Sequence, residues 1–217
     1  MSADSLAVTN GASGSFSNII TLFTHPTKTR FIIENPTYFL AIRVLEDHGI
    51  SRESTIKIPV DQDGLRVDVL EETLHSEEEP VLPPSVCGEK RFKYLLFLVP
   101  SFSNPTGISL SLERRKRLVE LARKHDILVV CDDVYHLLHL GTSTADADAD
   151  PLQGTSCRPP PRVVSFDLLD DSFGNVISNQ ASCATLYFTC FTRKKYKHRR
   201  NVGGSSQFTR FNSTKYK

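Results

Sequence analysis

The sequence predicts an α/β protein built on a mostly parallel, doubly wound sheet. Three observations point there. Two short runs, Leu95-Leu96-Phe97-Leu98-Val99 and Ile127-Leu128-Val129-Val130-Cys131, are wholly apolar, as strands buried on both faces are. Each leads into a polar motif: Asn104-Pro105-Thr106-Gly107 after the first, Asp132-Asp133-Val134-Tyr135 directly after the second. Elsewhere, short β-branched runs alternate with stretches whose apolar residues recur at helical spacing. Polar groups just beyond buried parallel strands are where an open α/β sheet holds a ligand.

In chain order, Gly11 to Ser15 is a small-residue loop leading into a helix over Phe16–Phe23, with Ile19, Ile20 and Phe23 on one face. Arg30–Ile33 reads as a short strand. Pro36 can open a helix that carries Phe39, Leu40, Ile42, Val44 and Leu45 and stops at Gly49. Thr55–Val60 is a β-branched strand, and Val67, Leu70 and Leu74 mark a short helix. Residues 76–91, with Glu77–Glu79, three prolines and Gly88, form a loop insertion. After the first apolar strand and its turn, Ser109 or Ser111 caps a helix bearing Leu112, Leu118, Leu121 and Ala122. The second apolar strand follows. Residues 141–161, with Ala-Asp repeats and Pro159-Pro160-Pro161, are a second insertion. Arg162–Phe166 reads as a strand and Asn175–Ser178 as one more, after which periodicity fades.

Composition separates the chain into unlike parts. From Ser172 to Lys217 there are nine Lys or Arg and no Asp or Glu, whereas the rest carries a net charge of −8. Residues 180–217 therefore read as a basic, disordered tail. Cys87, Cys131, Cys157, Cys183 and Cys190 are odd in number and form no CxxC pair, so neither a disulfide framework nor a zinc site is expected. No run approaches a membrane span, and Met1-Ser2-Ala3-Asp4-Ser5 lacks the regions of a signal peptide. The expected compartment is the cytoplasm.

Three segments could carry chemistry. Asn104 must end its strand because proline follows, which leaves its carboxamide at the carboxyl end of the sheet. A lone Asn-Pro is ordinarily just a turn. Asp132 follows an apolar strand and needs a cation, a donor or water, unless it merely caps a helix near Val134. Tyr135, three residues on, can reach the same pocket. Asn10-Gly11-Ala12-Ser13-Gly14 ahead of a helix suits a phosphate, because glycine permits close approach and the helix end offers free N–H groups.

Together these segments resemble the class I/II aminotransferases, the fold type I pyridoxal-phosphate enzymes, and especially the branch similar to 2-aminoadipate and aromatic aminotransferases. The resemblance rests on Thr9-Asn10-Gly11-Ala12-Ser13, Glu34-Asn35-Pro36-Thr37-Tyr38, Asn104-Pro105-Thr106-Gly107 and Asp132-Asp133-Val134-Tyr135. Arg162-Val163-Val164-Ser165 and Gly174-Asn175-Val176-Ile177-Ser178 continue it, so it covers roughly residues 6 to 179. It implies that residues 1–179 are a partial large, cofactor-binding domain. It also implies roles: Gly11, Ala12 and Ser13 on the phosphate of pyridoxal 5'-phosphate, Tyr38 stacked on its ring, Asn104 and Tyr135 on the phenolic oxygen. Asp132, three residues before the tyrosine, would pair with the pyridine nitrogen. The implied reaction is amino-group transfer between an amino acid and a 2-oxo acid. Family active sites form at dimer interfaces, which implies a homodimer or pairing with a full-length homologue.

The pattern breaks after Asn179. Where the family has a Ser-Phe-Ser-Lys-like segment whose lysine forms a Schiff base, this chain reads Gln180-Ala181-Ser182-Cys183-Ala184-Thr185, with no lysine before Lys194. Lys194 and Lys195 sit in a basic run that reads as a solvated face. No catalytic residue is therefore assigned, and the cofactor is expected to bind without a covalent link, in a fragment that is inactive as it stands. The unusual tail suggests a shifted reading frame or an alternative exon. A reading from another class is a non-catalytic pseudoenzyme or binding protein. Its basic tail, with Tyr187, Phe188, Phe191 and Tyr196 interleaved, would meet nucleic acid or an anionic surface. No nucleic-acid-binding fold signature accompanies that tail, so nucleic acid is the disfavoured partner.

Overall fold

The computed structural model describes residues 6–84, 89–138, 159–167, 174–183 and 186–191, with 181–183 and 186–191 described through the backbone alone. In chain order the elements are β1 (Leu6–Thr9), α1 (Ala12–Phe23), β2 (Arg30–Asn35), α2 (Phe39–Asp47), β3 (Ile56–Asp61), β4 (Gly64–Leu65), α3 (Val67–Ser76) and β5 (Tyr94–Leu98). They continue with α4 (Leu112–His125), β6 (Ile127–Asp132), a 3-10 turn at His136–Leu138, α5 (Val163–Asp167), β7 (Val176–Cys183) and β8 (Leu186–Phe191). The strands form one sheet ordered β1-β8-β7-β6-β5-β2-β3-β4. From β3 through β2, β5 and β6 to β7 every pairing is parallel. β4 turns back on β3, and β8 runs antiparallel to both β7 and β1.

Strand side chains alternate between the two faces, and each face has its own core. Phe31, Ile33, Leu95, Phe97, Leu128 and Val130 pack with Phe16, Ile19 and Ile20 of α1 and Ala41 and Leu45 of α2. Ile32, Leu96, Leu98, Val129 and Cys131 pack on the other face with Leu70 of α3, Leu118 and Ala122 of α4 and Val163 of α5. This two-sided cover makes β5 and β6 buried at every position, which explains their unbroken apolar sequence. α4 is bounded by its own chemistry. Ser111 Oγ accepts from the Arg114 N–H at 3.4 Å, and Asp126, at φ 56°, ends the helix in the left-handed conformation.

Several expectations shift. α1 begins at Ala12, so the small-residue loop is the first turn of the helix itself. α2 begins at Phe39, beyond Pro36, and Gly49 completes its C-terminal turn at φ 76° with its N–H on the Glu46 carbonyl. Of the two serines offered as caps, Ser111 serves. Arg162–Phe166 was expected as a strand, but Val163–Asp167 is helical. The edge of β6 is taken by β7, so this segment has no ladder to join. It packs instead through Val163, Val164 and Asp167, while the Asp167 carboxylate accepts from the Asn175 and Val176 N–H groups at 2.7 and 2.9 Å. The expected disordered tail from residue 180 is also corrected in its first part. β7 runs on to Cys183, and β8 fills the gap between β7 and β1, which antiparallel pairing allows without a crossover. Lys194, Lys195 and most of the 141–161 insertion lie outside the described residues.

Candidate functional site

The carboxyl ends of β5, β6 and β7 open beside the N-terminus of α1. There a cleft of about 110 Å³ is lined by Ala12, Ser13, Phe16, Tyr38, Ala41, Val44, Phe97, Val99, Asn104, Asp132, Val134, Tyr135 and Asn179. Six of the seven residues expected from sequence, from four separate segments, meet in it. Gly11 does not line it. At φ 103°, a conformation that suits glycine, it caps α1 and accepts the Ser15 N–H at 2.8 Å.

Each side chain has a local reason to be there. α1 is twelve residues long, has glycine as its N-cap residue and carries no acid in its first turn, and Ala12 and Ser13 bring its positive dipole end to the cleft. Tyr38 precedes α2 and is half-buried; burial, then the nearby Asp132 and Tyr135, raise its pKa above the ordinary phenol value. Asn104 sits in a turn closed by the Gly107 N–H on the Ser103 carbonyl and the Ser103 N–H on the Ile108 carbonyl at 2.8 Å. Gly107 takes φ 72° in that turn.

Strand parity separates the two aspartates. Asp132 continues the Leu128–Val130 face that α1 and α2 cover, whereas Asp133 turns toward the other face. The Asp133 carboxylate accepts from the Ser178 hydroxyl, and burial raises its pKa to about 6. Asp132 is 6 % exposed, and its Oδ1 is buried with no hydrogen-bond partner among the described residues. Burial, then the charge of Asp133, raise its pKa to about 7. An unpaired carboxylate oxygen at the floor of a cleft is a site prepared for a cationic donor.

Sequence reasoning missed Asn179 as a site residue. It is the register partner of Asp132, and its Nδ2 donates to the Ala12 carbonyl at 3.0 Å, which ties β7 to the start of α1. Its place one strand over from Asp132 was the available signal. The apolar walls Phe16 and Phe97, with ring centroids 4.7 Å apart, were legible only as core. Among the described residues no cluster of His, Cys, Asp and Glu could hold a metal ion, and no helix is long and apolar enough to cross a membrane.

This geometry has counterparts. The family pattern of aminotransferase class I and II matches residues 1–160. The chain belongs to the class I and II aminotransferase family. An uncharacterized protein of Saccharomyces cerevisiae is 33% identical over 195 residues, which cover 82% of this chain and 42% of that protein. The kynurenine/alpha-aminoadipate aminotransferase, mitochondrial, of Rattus norvegicus is 31% identical over 61% of this chain and 30% of its own length. The chain thus spans less than half the length of these relatives. The crystal structure of a kynurenine aminotransferase from Pyrococcus horikoshii, in complex with PMP, aligns with a TM-score of 0.63 and 25% identity over 85% of this chain and 39% of that one. An alpha-aminoadipate aminotransferase from Thermus thermophilus shares the fold, with a TM-score of 0.64 at 23% identity over 87% of this chain and 41% of its own.

Proposed function

We propose that the cleft is the ring and phosphate cradle for pyridoxal 5'-phosphate, within a protein whose complete form transfers an amino group between an amino acid and a 2-oxo acid. The observation that carries this is the buried, unpartnered Oδ1 of Asp132 at the floor of a cleft it shares with Tyr38, Asn104 and Tyr135. The donor it lacks is the protonated nitrogen of a pyridine ring. Asp132 would hold that proton at the ring nitrogen, and its own raised pKa falls once a cation sits beside it. Asn104 and Tyr135 would donate to the phenolic oxygen. Tyr38 would lie against the ring, worth about 0.5–1.5 kcal/mol beyond its buried area. The first turn of α1, with Ala12 and Ser13, would take the phosphate. When bound, the cofactor supplies an electron sink for the charge left as an amino acid loses its α-proton.

None of the described residues that line the cleft is a lysine, so we infer that this chain holds the cofactor without a covalent bond and does not turn over. The names of the relatives favour aromatic amino acids, kynurenine or 2-aminoadipate as the substrate class of the complete protein.

Titration of the chain with pyridoxal phosphate, followed by absorbance, tests the cradle. Saturable binding is expected, and Asp132→Asn should weaken it roughly tenfold or more. Equal affinity for the variant would sink the assignment of Asp132. Borohydride treatment should leave no stoichiometric adduct at one lysine, and such an adduct at Lys194 or Lys195 would overturn the non-covalent reading.

A further inference from the structure

The turn that presents Asn104 is gripped from two sides by charged residues that do not line the cleft. Glu34, in β2, is 3 % exposed, and its Oε1 accepts both the Val99 N–H at 3.0 Å and the Ser103 hydroxyl at 2.9 Å. Arg115, in α4, is fully buried. Its Nε donates to the Leu110 carbonyl at 2.9 Å, and its Nη2 donates to the Pro100 carbonyl at 2.7 Å and to Ser101 Oγ at 3.1 Å. Nη1 reaches the Pro161 carbonyl at 3.1 Å. A buried acid thus collects donors of the 99–110 segment while a buried base collects its acceptors. Neither charge forms an ion pair among the described residues.

We propose that Glu34 and Arg115 are positioning residues that together fix the Asn104 turn, and so aim the Asn104 carboxamide into the cleft. Burying an acid and a base is costly unless their hydrogen bonds are filled, and here all of those bonds but the one to Pro161 converge on residues 99–110. The β2–β5 ladder runs from Arg30–Tyr94 to Ile33–Phe97, so the bonds from Glu34 begin where that ladder ends. Asn104 follows Ser103 directly, and Ser103 is the residue that Glu34 holds and that closes the turn through both its N–H and its carbonyl. Displacing Ser103 therefore displaces Asn104.

This inference rests on the cofactor reading for its consequence, but the grip itself can be measured without cofactor. In the full chain, amide exchange and the side-chain amide resonance of Asn104 are followed by NMR for wild type, Glu34→Ala, Glu34→Gln, Glu34→Met, Arg115→Met and Ser103→Ala. Glu34→Ala and Arg115→Met should speed exchange across Val99–Leu110 by roughly tenfold or more, shift the Asn104 resonance, and leave β6 protected. Ser103→Ala, which removes one bond and keeps the buried acid, should do the same to a smaller degree and serves if the other variants lose β6 protection. Glu34→Gln keeps the accepting oxygen and should restore wild-type behaviour, whereas Glu34→Met, which fills a similar volume without that oxygen, should loosen the turn as Glu34→Ala does. Affinity for pyridoxal phosphate should fall about tenfold in Glu34→Ala and stay near wild type in Glu34→Gln. An Asn104 resonance and a Val99–Leu110 exchange pattern unchanged in Glu34→Ala and Ser103→Ala would overturn the proposal. If wild type binds no cofactor while the turn still loosens in the variants, the cofactor reading fails and the grip stands.

Discussion

Three carboxyl groups near the end of the sheet have proton affinities set by burial. Asp132 and Glu34 are raised to about 7 and Asp133 to about 6, each chiefly because burial penalises the charged form. The sign of the consequence follows from linkage. In the unfolded chain these groups are ionised above their ordinary values near 4, while the folded protein still binds their protons. Their contribution is therefore complete at low pH and is lost as pH rises toward the folded values. His125, lowered by burial, works in the opposite direction, but it is a single half-buried group. The melting temperature of the cofactor-free chain should fall between about pH 5 and about pH 7, with stability dropping by up to a few kcal/mol per pH unit, about 1.4 for each group that holds its proton only when folded. Asp132→Asn should flatten that slope, as should saturation with pyridoxal phosphate if it places a cation beside Oδ1 as proposed. A melting temperature that rises over this interval would contradict the burial of these groups.

At the scale of elements, close approach explains what composition does not reveal. Gly64 turns β3 back into β4 at φ 91°, and a Cβ there would lie 2.8 Å from the Leu110 Cα. Both the left-handed backbone and the backbone neighbour resist a side chain, so Gly64→Ala should cost about 1–3 kcal/mol, read as a shift in urea midpoint at unchanged slope. Gly49, at φ 76° with open space around it, should suffer only the backbone part of that cost. Ser111→Ala should remove the α4 cap at a cost of about 1 kcal/mol. The same contrast shows what could be read in advance. The helices over 67–76 and 112–125 and the buried strands were legible because apolar spacing, a capping serine and unbroken apolar runs are local signals. The Asp132–Tyr135 half of the site was legible because it directly follows such a strand. The helix at Val163–Asp167 was not, because five apolar-rich residues carry no period, and its state is decided by β7 already holding the edge of β6. Asn179 was missed for a related reason. Its role depends on strand register and on contact with Ala12, far away in sequence.

At the scale of the whole molecule, the sheet order sets a gradient of protection. β5 and β6 lie mid-sheet, paired on both sides and covered on both faces by the two cores, and all their residues are buried. β4 is two residues long at one edge, and β1, at the other edge, is only partly buried along its length. β8 joins the sheet by pairing with β7 on one side and β1 on the other, so the order of the β1 edge depends on it. Local opening needs the least free energy where few apolar contacts must break. Native-state hydrogen exchange should therefore find β5 and β6 opening only with global unfolding, β2 and the first half of β7 close behind, and β1 and β4 opening well before. The cleft straddles this gradient. Asp132 ends β6 and Asn104 lies beyond β5, while Ala12 and Ser13 follow β1. A ligand bound only by the folded chain slows every amide that exchanges through global unfolding by the same factor, so Leu128–Val130 should slow when pyridoxal phosphate is added. Ala7–Thr9 and the first turn of α1 should slow as much if their local opening also releases the ligand, as a ligand joining the α1 end to Asp132 requires. Slowing at Leu128–Val130 with none at Ala7–Thr9 would mean that the ligand is held without the α1 end.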